Sequence, residues 1–216
     1  MISGADIRES SLATLGELNP LQTFGAEGNN AMPMHHLIAR YAEESMNEIL
    51  SIVPERYLKY SEIPGEIVKN QDGSGYIPLP DDFTRRIRFQ MKGWRRAVTT
   101  AVYEDDVIYR QQQSPATRGG ICRPVCAIVK GEKGFRLESY TLPPYILNPE
   151  ALVKQYVKRV RSSSDPKIFQ EEEFDIDDRL LPIIALQISK RVALSLNETD
   201  MSSVYENEVM KAIALL

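Results

Sequence analysis

An α+β fold is what the sequence predicts, and three observations predict it: apolar residues at helical spacing over 35–53 and 180–216, short period-two alternations between them, and prolines and glycines punctuating the middle of the chain. Helical and strand-like stretches are segregated rather than alternating, so helices beside an antiparallel sheet are expected, not a parallel α/β sheet. At 216 residues the chain has the size of one domain with some extended segments. Its 43% hydrophobic and 26% charged content suffices for a packed core and excludes a wholly disordered chain.

Residues 1–34 contain Asn19-Pro20, Gly25, Gly28-Asn29-Asn30 and Pro33, with few apolar residues in a helical register, and read as an extended arm; residues 35–216 read as a single α+β domain. From His35 to Val53 the apolar Ile38, Tyr41, Ala42, Met46, Ile49, Leu50 and Val53 recur at helical spacing, and Pro54 supplies the stop. Asp72-Gly73-Ser74-Gly75 is a turn, and Tyr76-Ile77-Pro78-Leu79-Pro80 is extended because its two prolines exclude helix. In the stretch from Arg86 to Lys92, Ile87, Phe89 and Met91 alternate with Arg86, Arg88, Gln90 and Lys92, which gives a half-buried strand with one basic face before Gly93 bends the chain. Tyr103 to Arg123 is polar and irregular, a long loop with a helical turn.

Pro124–Val129 and Phe135–Thr141 flank Gly131-Glu132-Lys133-Gly134 as a hairpin. Leu152–Val160 fits strand and helix patterns about equally, and its β-branched content and preceding prolines favour strand. The acidic run Glu171–Asp178 precedes a helix from Leu180 to Leu196, as suits a helix dipole. Leu180, Leu181, Ile183, Ile184, Ile188, Val192 and Leu196 cover more than one stripe of that helix, so more than one neighbour is expected to pack on it. Asn197–Asp200 breaks the chain, and Met201–Leu216 forms a final helix with Val204, Tyr205, Val209, Ile213 and Leu216 on one side, completing a helical hairpin.

No window approaches the roughly 18 uninterrupted apolar residues of a membrane span, and the first six residues lack the pattern of a signal peptide, so synthesis in the cytoplasm and no membrane contact are expected. Cys122 and Cys126 are too few for a disulfide framework; as a strand they would share one face and read as buried, reduced thiols. His35-His36 has no acid partner at ligand spacing and reads as a helix-start or interface pair. The run Glu171–Asp178 does not match the order of a calcium loop, and Gly73-Ser74-Gly75 and Gly119-Gly120 lack the length and lysine of a phosphate-binding loop. A nucleophile elbow is absent, so a histidine triad has nothing to stand on. No catalytic residue, metal or cofactor is therefore expected. With a net charge of −4, contact with nucleic acid has to come from a local patch. Arg85, Arg86, Arg88, Lys92, Arg95 and Arg96, interleaved with Phe89 and Trp94, form such a patch, suited to DNA phosphates, to a solvated face, or to the acidic run of a neighbouring subunit.

The segment Gly73-Ser74-Gly75-Tyr76-Ile77-Pro78-Leu79-Pro80-Asp81-Asp82-Phe83, followed by Arg86-Ile87-Arg88-Phe89 and Gly93-Trp94-Arg95-Arg96-Ala97-Val98, resembles the head–tail adaptor proteins of tailed bacteriophages. In these an N-terminal helix leads to an I-P-L-P-x-D-F element, a sheet and closing helices. The ending Asp177-Asp178-Arg179-Leu180-Leu181-Pro182 is also similar, and more narrowly the chain looks like a tail ring or adaptor protein of the crAss-like phages of Bacteroidales. The order of elements carries the resemblance over residues 35–216; the local wording carries it only in the middle segment. It implies a non-enzymatic virion protein of the neck or tail, made in the host cytoplasm. Its copies would close into a dodecameric ring under the portal protein, with other tail ring or nozzle proteins as neighbours and DNA or cargo passing through the lumen. Arg86, Arg88, Lys92, Arg95 and Arg96 would then face the lumen or a neighbouring subunit; Glu171, Glu172, Glu173, Ile184, Ile188 and Leu216 would face a neighbour or the portal. A tail stopper or completion protein, another minor virion component, a small DNA-binding protein and a carboxylate enzyme are the alternatives.

Overall fold

The computed structural model describes residues 1–18, 34–131, 134–142 and 149–216. Along the chain the elements are β1 (Ile2–Ser3), α1 (Gly4–Leu18), α2 (Met34–Ile52), β2 (Ser61–Glu62), β3 (Val68–Lys69), β4 (Gly75–Pro78), β5 (Phe83–Met91), β6 (Val98–Thr100), β7 (Val102–Tyr103) and α3 (Val107–Gln112). They continue with β8 (Cys126–Gly131), β9 (Gly134–Ser139), β10 (Ala151–Lys158), α4 (Pro166–Glu171), β11 (Glu173–Phe174), α5 (Leu181–Ser195) and α6 (Thr199–Leu215). The fold is α+β, as expected. The chain divides into two compact units: a helical unit of Met1–Lys59 with Val160–Leu216, and a β unit of Tyr60–Arg159, which lies between its halves in the sequence.

In the helical unit α5 packs against α1, α2 and α6. Ile183, Ile184, Ala185, Ile188, Ser189, Val192 and Ala193 are all buried, so most of the broad apolar surface read from the sequence is covered by neighbours within the unit, Leu196 excepted. Helix α2 contributes Ile38, Ala42, Met46 and Ile49 to the core, and α6 contributes Tyr205 and Val209. Asn47 of α2 holds the returning chain with both ends of its amide: Nδ2 donates to the carbonyl of Val160 (2.8 Å) and Oδ1 accepts the Val160 N–H (2.9 Å).

The expected extended arm is corrected over its first half. Residues 4–18 form α1, which buries Ile7, Ser11 and Leu15 at spacings of one turn. With a serine in the middle of the buried row, the stripe is too thin to read as amphipathic. Residues 19–33, where the rest of the arm falls, lie outside the described residues. Strand β1 pairs antiparallel with β11, Ile2 opposite Phe174, and the Gly4 N–H donates to the Glu172 carbonyl at 2.9 Å. A Cβ at Gly4 would lie 1.7 Å from the carbonyl oxygen of Phe169, so only glycine fits this junction.

The β unit contains two sheets, ordered β2-β10-β5-β6 and β3-β4-β9-β8-β7. All pairs are antiparallel except β7 with β8, a parallel pair the sequence reading did not anticipate. Both sheets supply one core: Ile87, Phe89, Met91 and Tyr156 from the first meet Ile77, Cys126, Ile128 and Leu137 from the second. Gly93, at φ 95°, turns the chain after β5 and lets Trp94 fold back edge-on to Phe89 at 6.0 Å.

Truncating the centre of the helical core should be costly while trimming its rim is not. Ile188→Ala is expected to lower stability by about 2–5 kcal/mol in urea unfolding, whereas Leu215→Ala, at a residue 88% exposed, is expected to change it by less than about 0.5 kcal/mol.

Candidate functional site

Strand β5 separates its side chains as predicted, with Ile87, Phe89 and Met91 in the core and Arg86 and Arg88 on the opposite face, where Arg88 stands beside Gln155 of β10 and Arg86 beside Thr100 of β6. The basic residues are not equivalent. Lys92 is neutralised by Glu150 at 2.9 Å, and Arg85 lies over the Tyr103 ring at 5.5 Å. Arg88, Arg95 and Arg96 are exposed and form no ion pair among the described residues. Arg95 and Arg96 belong to the turn after β5, which the backbone of Arg95 fixes by donating to the Ile121 carbonyl at 2.9 Å.

Other cations of the β unit are held internally. Arg118, whose side chain is only 10% exposed, donates Nε to the Gln112 carbonyl (2.7 Å), Nη1 to the Asp72 carbonyl (2.7 Å) and Nη2 to the Asp72 carboxylate (2.6 Å), tying the 112–120 loop to the turn before β4. Arg136 donates Nε and Nη2 to one oxygen of Glu138, whose other oxygen accepts the Tyr140 hydroxyl at 2.8 Å. The Tyr156 hydroxyl, desolvated and donating to Asp82, is pushed up to about 12.

The acidic run divides in the same way. Glu172, expected to face a neighbour, is instead an internal acceptor: Ser162 Oγ donates to it at 3.1 Å, and the Ser163 N–H reaches both its oxygens at 3.1 Å. Asp175 pairs with Lys59 at 2.8 Å, and Asp178 with the amino group of Met1 at 2.9 Å. Asp177 caps the turn entering α5, and hydrogen bonds from the Arg179 side chain and N–H hold its carboxyl down to about 2. Glu171 and Glu173 are exposed and form no ion pair among the described residues.

Ile184 and Ile188, expected at a subunit or portal interface, are fully enclosed in the helical unit's own core, because α1, α2 and α6 cover the face that periodicity left unassigned. Leu216 is half-buried, its carbonyl accepting from the Tyr57 hydroxyl at 2.7 Å and from Arg56. On the last two helices the apolar side chains left in solvent are others: Leu194 at the end of α5, Leu196 after it, and Val204, Met210 and Leu215 on α6. Val204, expected on the same side of the last helix as Tyr205 and Val209, is instead exposed. The cysteines do not share a face: Cys126 is buried in β8, where desolvation raises its thiol pKa, and Cys122 is exposed in the preceding turn. No group of three or more His, Cys, Asp or Glu side chains among the described residues is arranged to hold a metal ion. No helix is long and apolar enough to cross a membrane among the described residues.

The chain matches no protein-family model, and no curated protein is similar to it at a significant level.

The Asp72 carboxyl is held at about 2, first by the Ser74 hydroxyl, then by the Ser74 N–H and Arg118, against partial burial. A carboxyl depressed on folding stabilises the native state above its unfolded value of 3.8 and stops doing so as pH falls through the folded value of about 2. Acid titration of stability from pH 4 to 2 should therefore show a loss that is smaller in Asp72→Asn, read by near-UV circular dichroism.

Proposed function

We propose that the chain is a non-catalytic structural subunit that assembles into a closed ring in the head–tail connector of a tailed-phage virion, below the portal protein and joined to further ring or nozzle proteins. The observation that supports the reading is that each copy exposes both apolar side chains, among them Leu194, Leu196, Val204, Met210 and Leu215 of the helical unit, and unpaired cations, among them Arg88, Arg95 and Arg96 of the β unit. A ring built from one kind of subunit closes through a heterologous contact, which requires two different surfaces on each copy. Exposed apolar residues supply the desolvation energy of such a contact, and uncompensated arginines suit a lumen carrying a polyanion without reading its sequence. The resemblance around Ile77–Phe83 supports the same reading, since those residues form β4 and the turn into the basic strand.

Light scattering of the full chain over a range of concentrations, alone and with a portal protein, tests the proposal. A ring, or a defined stoichiometric complex with the portal, is the expected result; a monomer indifferent to the portal overturns it. Val204→Asp with Leu215→Asp should abolish assembly while leaving circular dichroism unchanged. If DNA passes the basic strand, replacing Arg88, Arg95 and Arg96 by alanine should weaken non-specific DNA binding and reduce its salt dependence by about three phosphate contacts. Tight DNA binding by a monomer that never assembles would favour the DNA-binding alternative.

A further inference from the structure

The first segment of the chain, β1 with α1, is seated chiefly by residues distant from it in sequence. Strand β1 lies on β11, with Ile2 opposite Phe174 and Ser3 opposite Glu173, and α1 packs mainly on α5 and α4, with less contact to α2, the element that follows it. The seat is specific in shape, since Gly4 meets the backbone of Phe169 where no side chain fits.

The hold on the segment is nevertheless thin. Ile2, Ile7 and Leu15 anchor it, and two polar atoms offset part of what their burial contributes: Arg8 Nε and Ser11 Oγ are buried with no hydrogen-bond partner among the described residues, so each has lost water without replacement. Residues 19–33 join α1 to α2, and chain length alone lets that connection span up to roughly 50 Å. An element with a shape-specific seat, few anchors and a long tether fits the same seat on another copy as well as its own, because the contacts are identical.

We propose that β1 and α1 exchange between neighbouring copies in the assembly, each copy's segment filling the seat formed by α5, α4 and β11 of the next. The inference rests on the ring reading and names the element that links its subunits. Tethering decides when exchange occurs. A tethered segment meets its own seat at an effective concentration on the order of millimolar, so a dilute copy keeps its own segment. Copies held side by side meet each other's seats at a comparable concentration, and exchange then changes no contact. Passed around a closed ring, it completes the helical core of each copy with a helix from its neighbour.

The register of β1 on β11 supplies the test. Ser3 and Glu173 stand directly opposite each other, and cross-strand partners have the Cα separation of disulfide-bonded cysteines. The full chain carrying Ser3→Cys and Glu173→Cys, with Cys122→Ser to remove the exposed thiol, is oxidised once as a dilute monomer and once after assembly, and both samples are run on a non-reducing gel. The dilute sample should form an internal bond and run as a single chain. The ring should give a ladder of disulfide-linked chains that collapses on reduction. Because the Ser3 hydroxyl also accepts the Asp6 N–H at the start of α1, Ile2→Cys with Phe174→Cys, opposite each other in the same ladder, repeats the measurement. A ring that yields only single chains, or only free thiols, with both pairs overturns the exchange and leaves the ring reading standing; a chain that never assembles and runs as a single chain at every concentration overturns both.

Discussion

Helix α5 is buried on so much of its circumference that the helical unit exists only if other helices wrap it. Its partners come from both sides of the inserted β unit, α1 and α2 before it and α6 after it. Apolar area on α5 leaves water only when these distant segments meet, so hydrophobic burial, non-directional in itself, here imposes a long-range closure on the chain. The bidentate grip of Asn47 on Val160 adds direction, because an amide that both donates and accepts fixes one register for the returning strand of chain.

The β unit meets a different constraint. Two sheets facing one core leave outer faces rich in charge, and most of that charge is settled locally: Arg118 on Asp72, Arg136 on Glu138, Lys92 on Glu150. The exposed Lys92–Glu150 pair contributes little to stability, but pairs such as these determine which cations remain available to something outside the chain. Within the basic segment Arg88, Arg95 and Arg96 remain, and so the functional reading concentrates on β5 and the turn after it.

Much of the fold was legible in the sequence. Helices α2, α5 and α6, strand β5 and the β8–β9 hairpin all depend on local periodicity and turn chemistry, which the order of residues carries directly. Helix α1 was not legible, because Ile7, Ser11 and Leu15 make too slight a stripe against polar neighbours. The two-unit organisation escaped for another reason: hydrophobic pattern says which residues leave water, not which of them leave it together.

The candidate surfaces show the same division. By itself the sequence determined that β5 has an apolar and a basic face, that α5 is apolar on several sides and that the run from Glu171 to Asp178 is acidic, since each follows from side-chain spacing along one element. Tertiary structure decided what covers those faces. It enclosed Ile184 and Ile188, turned Glu172 inward to serine donors, neutralised Lys92, and set Ile2 opposite Phe174. Contacts between residues far apart in the chain have no period, and only packing can create them.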